Sequence, residues 1–243
     1  MQENIGIVPA RSGSQRIKNK NIREFLGKPI ILYALEAMQN SLLFDRIIVS
    51  TDSVAIADVA KSIGAEVPFF RPSNLSGSDV NTIDVVHHAI NEICVSPGDR
   101  ICCVYATNPF LTPDLISLGL NLLLEDGEID YVTPVVRYGF PIQRSLVFRD
   151  GALTMANPQF MYTHSQNLEA SYHETAQFWW GYADRWLEKA PMQGRLLGIC
   201  VPSWSQQDID TEEDWLEAEL KFESLIAKGW PLSFDKMNYK VLR

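Results

Sequence analysis

Apolar residues fall in short unbroken runs that alternate with stretches of helical spacing. Ile5 to Val8 is apolar, ends at Pro9 and is followed by a Gly/Ser-containing loop, which predicts a buried first strand. Pro29 then opens a helical pattern through Ile31, Leu35 and Met38, a first-turn position where its missing N–H costs nothing. Arg46 to Ser50 is a second strand. Thr51, Asp52 or Ser53 can cap a helix whose apolar positions Ile56, Val59, Ala60 and Ile63 continue until Gly64. Val67 to Phe70 predicts a short third strand. A polar loop from Pro72 to Ser78 leads to a helix with Ile83, Val86, Ile90 and Ile93 on one face, and Ile101 to Tyr105 forms a fourth strand. Unbroken strands interleaved with helices call for an α/β fold, a doubly wound, mostly parallel sheet that binds ligands beyond its carboxyl edge.

The pattern changes after Val136. Residues 137–181 are rich in aromatics, Gln, Asn and His, with turn signals at Asp150-Gly151 and Asn157-Pro158, and read as an inserted arm. Regular order returns at Leu197 to Val201, and Thr211 caps a last helix carrying Trp215, Ala218, Phe222 and Leu225 on one face. The expected plan is an α/β/α domain from 1–136 and 182–228, the arm at 137–181, and a tail at 229–243. An aromatic-rich arm too small to bury its own apolar side chains predicts a homodimer.

Composition narrows the function. With 46% hydrophobic and 21% charged residues, the 243-residue chain can bury a sizeable core. No apolar run approaches the roughly 18 residues needed to span a bilayer, and no secretory leader pattern opens the chain, so a cytoplasmic protein is expected. Cys94, Cys102, Cys103 and Cys200 lack metal-site spacing and read as reduced thiols. A net charge of -9 argues against nucleic-acid or anionic-membrane partners, so any bound anion needs a local basic patch.

Such a patch exists. Arg11 to Arg23 contains Arg11, Arg16, Lys18, Lys20 and Arg23 and no acid, although the chain has only 21 Lys and Arg in all. Ser12, Gly13 and Ser14 allow close backbone approach, which suits phosphate oxygens. The other reading is a solvated basic turn. The loop matches neither G-x-x-x-x-G-K-[ST] nor G-x-G-x-x-G, which disfavours P-loop kinases and nicotinamide oxidoreductases. Far along the chain, Asp208 and Asp210 flank Ile209 on an extended segment, so both carboxylates share a face while Ile209 turns to the core. That pair suits a hard cation such as Mg²⁺ that also takes phosphate oxygens, or else Asp210 or Thr211 simply caps the helix.

The segments IVPARSGSQRIKNKN (Ile7 to Asn21), FDRIIVSTDS (Phe44 to Ser53), FFRP (Phe69 to Pro72) and DIDTEEDW (Asp208 to Trp215) resemble the CMP-sugar synthetases that act on 3-deoxy-2-ulosonic acids. Within that family, FPIQRSL (Phe140 to Leu146) and YTHSQNLEASYHETAQFWWG (Tyr162 to Gly181) look like the pseudaminic acid branch. The resemblance implies a Rossmann-like nucleotidyltransferase fold that joins CMP from CTP to the anomeric hydroxyl of a nonulosonic acid. Arg11, Lys20, Asp208 and Asp210 are the implied catalytic residues, with Asp208 and Asp210 as metal ligands for Mg²⁺. Ala10, Arg11, Ser12, Gly13, Ser14, Lys20, Asn21, Arg71 and Thr82 are the implied nucleotide contacts. Tyr105, Gln143, Arg144, Phe178 and Trp179 are the implied sugar contacts, to which Trp180 adds an aromatic wall. Gln15 stands where many members have Lys, and Tyr105 where sialic acid enzymes have Gln; the second difference favours a sugar richer in methyl and acetamido groups. Legionaminic and N-acetylneuraminic acids are the competing sugars. An inert nucleotide-binding regulator on the same scaffold is the alternative of another class, and it would be expected to have lost part of the cradle or clamp.

Overall fold

The computed structural model describes residues 2–188, 194–232 and 234–242. The first half runs β1 (Asn4–Pro9), the short hairpin β2 (Glu24–Phe25) and β3 (Lys28–Pro29), α1 (Ile31–Ser41), β4 (Arg46–Ser50), α2 (Val54–Ser62), α3 (Thr82–Glu92), β5 (Arg100–Val104) and α4 (Pro113–Glu125). The second half runs β6 (Tyr131–Arg137), β7 (Leu146–Arg149), β8 (Ala152–Met155), β9 (Tyr172–Glu174), β10 (Phe178–Tyr182), α5 (Ala183–Leu187), β11 (Leu196–Cys200), α6 (Glu212–Ile226), α7 (Phe234–Met237) and β12 (Lys240–Leu242).

One sheet of order β12-β11-β6-β10-β5-β1-β4 forms the centre, with β9 added on β6. Strands β1, β4, β5, β6 and β11 run one way, and β9, β10 and β12 oppose them. Helices α1, α2 and α4 cover one face through a core that includes Leu35, Met38, Ile56 and Leu120, and α3 and α5 cover the other through Val86, Ile90, Trp179 and Trp186. Both faces are therefore sealed, as unbroken apolar strands require.

A third apolar cluster decides where the chemistry sits. Ile17 of the basic loop, Phe25 and Ile30 of the hairpin, Phe110, and Ile209, Trp215 and Phe222 pack together, and Ile17 and Ile209 are almost wholly buried. Thr211 holds the start of α6 through a capping box with Asp214, which fixes the direction in which the 208–210 segment enters.

Several expectations are corrected. The helix expected from Pro29 begins at Ile31, since Pro29 closes the β2–β3 hairpin. Ser53 caps α2, accepting the Ile56 N–H, while Asp52 turns elsewhere. The expected third strand is reduced to two isolated bridges, Ile48 with Glu66 and Thr51 with Phe70; Pro68 between them has no N–H to extend a ladder. The arm boundary also moves. β9 and β10 belong to the central sheet, with β10 inserted antiparallel between β5 and β6, so the stretch outside the sheet is residues 138–171, including the separate β7–β8 hairpin. The tail is likewise no free appendage, for β12 pairs with β11 and Met237 is buried.

Phe178 and Trp180 are the clearest reversal. Both are wholly buried on the face covered by α4. Trp180 stacks on Phe44 at 5.3 Å and donates its indole N–H to the Ile116 carbonyl at 3.1 Å. Gly119 of α4 makes room for them, because a Cβ there would lie 2.7 Å from Phe178 and 2.8 Å from Trp180. These aromatics are core, and Phe178 is not a sugar contact. No helix among the described residues is long and apolar enough to cross a membrane.

Candidate active site

The carboxyl ends of β1 and β5 open into a cavity of about 330 Å³. The loop after β1 contributes Arg11, Ser14, Gln15, Arg16, Lys20 and Asn21, and the segment before α6 contributes Asp208 and Asp210. Burial of Ile17 and Ile209 in one cluster is what joins them: each isoleucine sits inside, while Arg16 beside the first and Asp208 and Asp210 beside the second line the cleft.

Contacts across this junction are direct. Lys20 Nζ donates to the Ile209 carbonyl at 2.6 Å and to Asp210 Oδ1 at 3.2 Å, and Arg16 Nη2 lies 2.9 Å from Asp210 Oδ2. Asn21, buried, donates its amide to the Arg11 carbonyl at 2.8 Å and so fixes the start of the loop. Ala10 is buried beneath it, its N–H held by the Ser50 carbonyl at 2.9 Å. Ser12 is anchored away from the cavity, for its N–H and hydroxyl both donate to Asp52, at 2.7 and 2.8 Å. Gly13 does not line the cavity, while Ser14 does.

The opposite wall carries Arg71, Thr82, Tyr105 and Glu174. Arg71 donates from Nη2 to the Ser50 carbonyl at 2.7 Å, and its buried Nε has no acceptor among the described residues. Burial lowers its pKa, Asp52 opposes the shift and Arg11 adds to it, yet a guanidinium stays charged. Tyr105 is hydrogen-bonded to Thr82, and burial pushes its hydroxyl well above the ordinary phenol range.

Two carboxyls titrate high. Asp208 reaches solvent but is ringed by the cleft wall, so lost hydration raises its pKa first and the charge of Asp210 raises it further, against the pull of Lys20 and Arg16. Glu174 is raised by the same loss of water and by Asp208, while the Ala176 N–H and the Trp179 indole hold it down.

The structure thus gathers Arg11, Ser14, Lys20, Asn21, Arg71, Thr82, Tyr105, Asp208 and Asp210 around one cavity. It does not bring Gln143 and Arg144 there within a single chain. Gln143 donates to the Glu169 carbonyl at 2.9 Å inside the arm, and the Arg144 guanidinium lies 5.9 Å from the Phe140 ring. Trp179 faces a smaller chamber beside the cavity. Glu174 is the residue that sequence reasoning missed; its signal was a lone acid just ahead of the apolar run Phe178 to Trp180, legible only if that run is a core strand.

Among the described residues no group of three or more His, Cys, Asp or Glu is gathered as a metal centre. Asp208 and Asp210 supply two hard oxygen donors, one of them poorly hydrated. Mg²⁺ commonly takes only one or two carboxylates and completes its shell with water and substrate phosphates, so the donor set fits a cation that arrives with a polyphosphate. A basic rim, an acidic pair and a buried guanidinium in one cleft can hold a nucleoside polyphosphate by its phosphates and base.

The comparisons agree with that chemistry. The family profile described as cytidylyltransferase matches residues 5–181. The pseudaminic acid cytidylyltransferase of Campylobacter jejuni subsp. jejuni serotype O:2 is 36% identical over 191 residues, covering 77% of this chain and 82% of that protein. Its counterpart from serotype O:23/36 is 35% identical over 217 residues, covering 87% of this chain and 93% of that protein. Among solved structures, CMP:2-keto-3-deoxy-manno-octonic acid synthetase complexed with CTP superposes with a TM-score of 0.68 over 93% of this chain and 99% of that chain, at 13% identity, a likeness of fold. Cavity, sheet order and sequence lead to one placement: this chain belongs to the cytidylyltransferase family and is an enzyme of nucleotidyltransferase type.

Proposed function

We propose that the enzyme transfers CMP from CTP to the anomeric hydroxyl of pseudaminic acid and releases pyrophosphate, acting in the cytoplasm as a homodimer. The observation that carries the reading is the meeting of Lys20 and Arg16 with Asp210 in a cavity whose chain is 35% to 36% identical to pseudaminic acid cytidylyltransferases. The dimer rests on the arm, where Phe140, Leu146, Phe148, Leu153 and Tyr162 are exposed on a segment with little core of its own.

Arg11, Arg16 and Lys20 bind the triphosphate, and the backbone of the loop approaches it at Ser14. Arg71 and Asn21 hold the nucleoside end. The sugar lies toward Tyr105 and Glu174, and its anomeric hydroxyl attacks the α-phosphorus in line as pyrophosphate leaves. Asp208 and Asp210 would hold Mg²⁺, which when bound offsets the charge of the phosphates. As CTP arrives, Arg16 and Lys20 exchange the Asp210 carboxylate for phosphate oxygens, which would free Asp210 to serve with Asp208 as a holder of Mg²⁺. The barrier falls through positioning and electrostatics, with no covalent enzyme intermediate.

The test is incubation with CTP, Mg²⁺ and a panel of nonulosonic acids, reading pyrophosphate. Release with pseudaminic acid ahead of legionaminic and N-acetylneuraminic acids supports the reading. Release with none of them refutes it.

A further inference from the structure

The reaction cavity does not end at Tyr105. Thr82, Tyr105 and Glu174 line it and also line a second chamber of about 190 Å³, completed by Asn81, Ile83, Trp179 and Trp186. The chemistry changes at that threshold. On the cavity side stand charged groups, whereas beyond it Ile83, Trp179 and Trp186 form apolar walls. Asn81 is already committed, accepting the Asp84 N–H at 2.8 Å as the cap of α3 and donating to the Asp84 carboxylate at 2.7 Å.

Glu174 stands at the opening and is aimed. Its Oε2 accepts the Ala176 N–H at 3.0 Å, and the Trp179 indole beside it favours the charged form. A carboxylate has about four acceptor positions, so these contacts leave capacity for a donor on the substrate. The chamber beyond it is walled by Ile83, Trp179 and Trp186. An amide offers a donor N–H for the carboxylate on one small group that ends in an apolar carbon, which such walls can enclose. A chain of hydroxyls entering the same space would lose its hydration and find few partners.

We propose that this chamber is the subsite for an N-acyl substituent of the acceptor sugar, with Glu174 accepting the amide N–H at the threshold and Ile83, Trp179 and Trp186 enclosing the acyl carbons. The inference rests on the proposed cytidylyltransfer to a nonulosonic acid and adds which substituent the site reads. Glu174 is then a specificity-determining residue, since replacing it by Gln presents an amide donor where the substrate also donates.

The test compares kcat/KM for pseudaminic acid with that for analogues in which one acetamido group at a time is replaced by hydroxyl, in the wild type, Glu174→Gln and Ile83→Phe. The wild type should prefer the acetamido form at one position by about tenfold or more, the scale of a hydrogen bond to a charged group. Glu174→Gln should reduce that preference to within about twofold while leaving the KM for CTP unchanged. Ile83→Phe, which fills the chamber, should lower use of the acetamido form more than of the hydroxyl form, and it carries the test if Glu174→Gln fails to fold. An acetamido-to-hydroxyl ratio unchanged in every folded variant overturns the chamber assignment while cytidylyltransfer stands. A wild type inactive with every nonulosonic acid overturns the underlying reading, and the chamber assignment with it.

Discussion

Lys20 Nζ lies 3.2 Å from Asp210 Oδ1, a contact between residues 190 positions apart that ties the loop after the first strand to the segment before α6. The contact follows from apolar packing: Ile17 and Ile209 enter the same cluster and carry their charged neighbours with them. Without substrate the cradle and the clamp neutralise each other, which limits like-charge repulsion within each.

That relationship sets the first expectation. Asp210→Asn keeps the side-chain shape but removes a charged cation donor, and should lower kcat by on the order of a hundredfold or more, the scale of losing one preorganised electrostatic contact. Its ion pairs are partly exposed, so stability should change by less than about 1 kcal/mol. Lys20→Ala should instead raise the KM for CTP by about tenfold with little change for the sugar. Steady-state kinetics with each substrate varied in turn, beside a thermal melt, checks both; full activity of Asp210→Asn at saturating Mg²⁺ would remove the metal role.

The packing account is tested separately. Ile17→Ala and Ile209→Ala should each cost about 2–5 kcal/mol of stability. Both should also lower kcat/KM at temperatures where the protein is still folded, because the charged residues beside them lose their common anchor. Denaturant unfolding and kinetics on the same preparations decide it. A large stability loss with unaltered kinetics would show that the cradle is held by other contacts.

Much of this fold is legible in the sequence, and the failures share a cause. The edges of β1, β4 and β5 and the capped starts of α2 and α6 follow from apolar runs and caps that act within a few residues. The cradle and the acid pair are legible because five like charges without an acid, and two carboxylates flanking an isoleucine, need no knowledge of distant partners. Phe178 to Trp180 is different. A run of aromatics looks alike whether it lines a pocket or fills a core, and only Gly119 and Phe44 across the sheet decide the matter. Misplacing that strand also hid Glu174, whose role depends on β9 and β10 returning to the carboxyl edge of β5.

Asp208 yields a pH dependence. Its pKa is raised in the folded protein, so the folded state favours the protonated carboxyl; relative stability is full below the unfolded value of about 4 and declines as pH rises through the raised folded value. Asp208→Asn should therefore melt higher than the wild type at pH 7 to 8, and the difference should vanish as pH falls below about 4. A variant that melts lower than the wild type at pH 7.5 without substrate would contradict the assignment.

The arm offers a structural test. Phe148 and Leu153 face each other across the β7–β8 hairpin, exposed by 73% and 65%. Replacing both by Glu should leave the thermal unfolding of the central domain within about 1 kcal/mol of the wild type while shifting the protein to monomer in scattering at micromolar concentration. Deleting Gly139 to Ser171, most of the stretch outside the central sheet, removes this face and should likewise yield monomer. A wild type that is already monomeric would leave the arm without its proposed partner.

The most direct measurement is initial-rate pyrophosphate release by the purified enzyme with CTP and Mg²⁺, comparing pseudaminic with N-acetylneuraminic acid and identifying the product by mass. The expected result is a CMP-sugar formed with pseudaminic acid at a kcat/KM at least about tenfold above that for N-acetylneuraminic acid, as unpaired polar groups on the wrong sugar would require. Equal or better use of N-acetylneuraminic acid would contradict the substrate, and no CMP-sugar from either acid would contradict the proposed reaction.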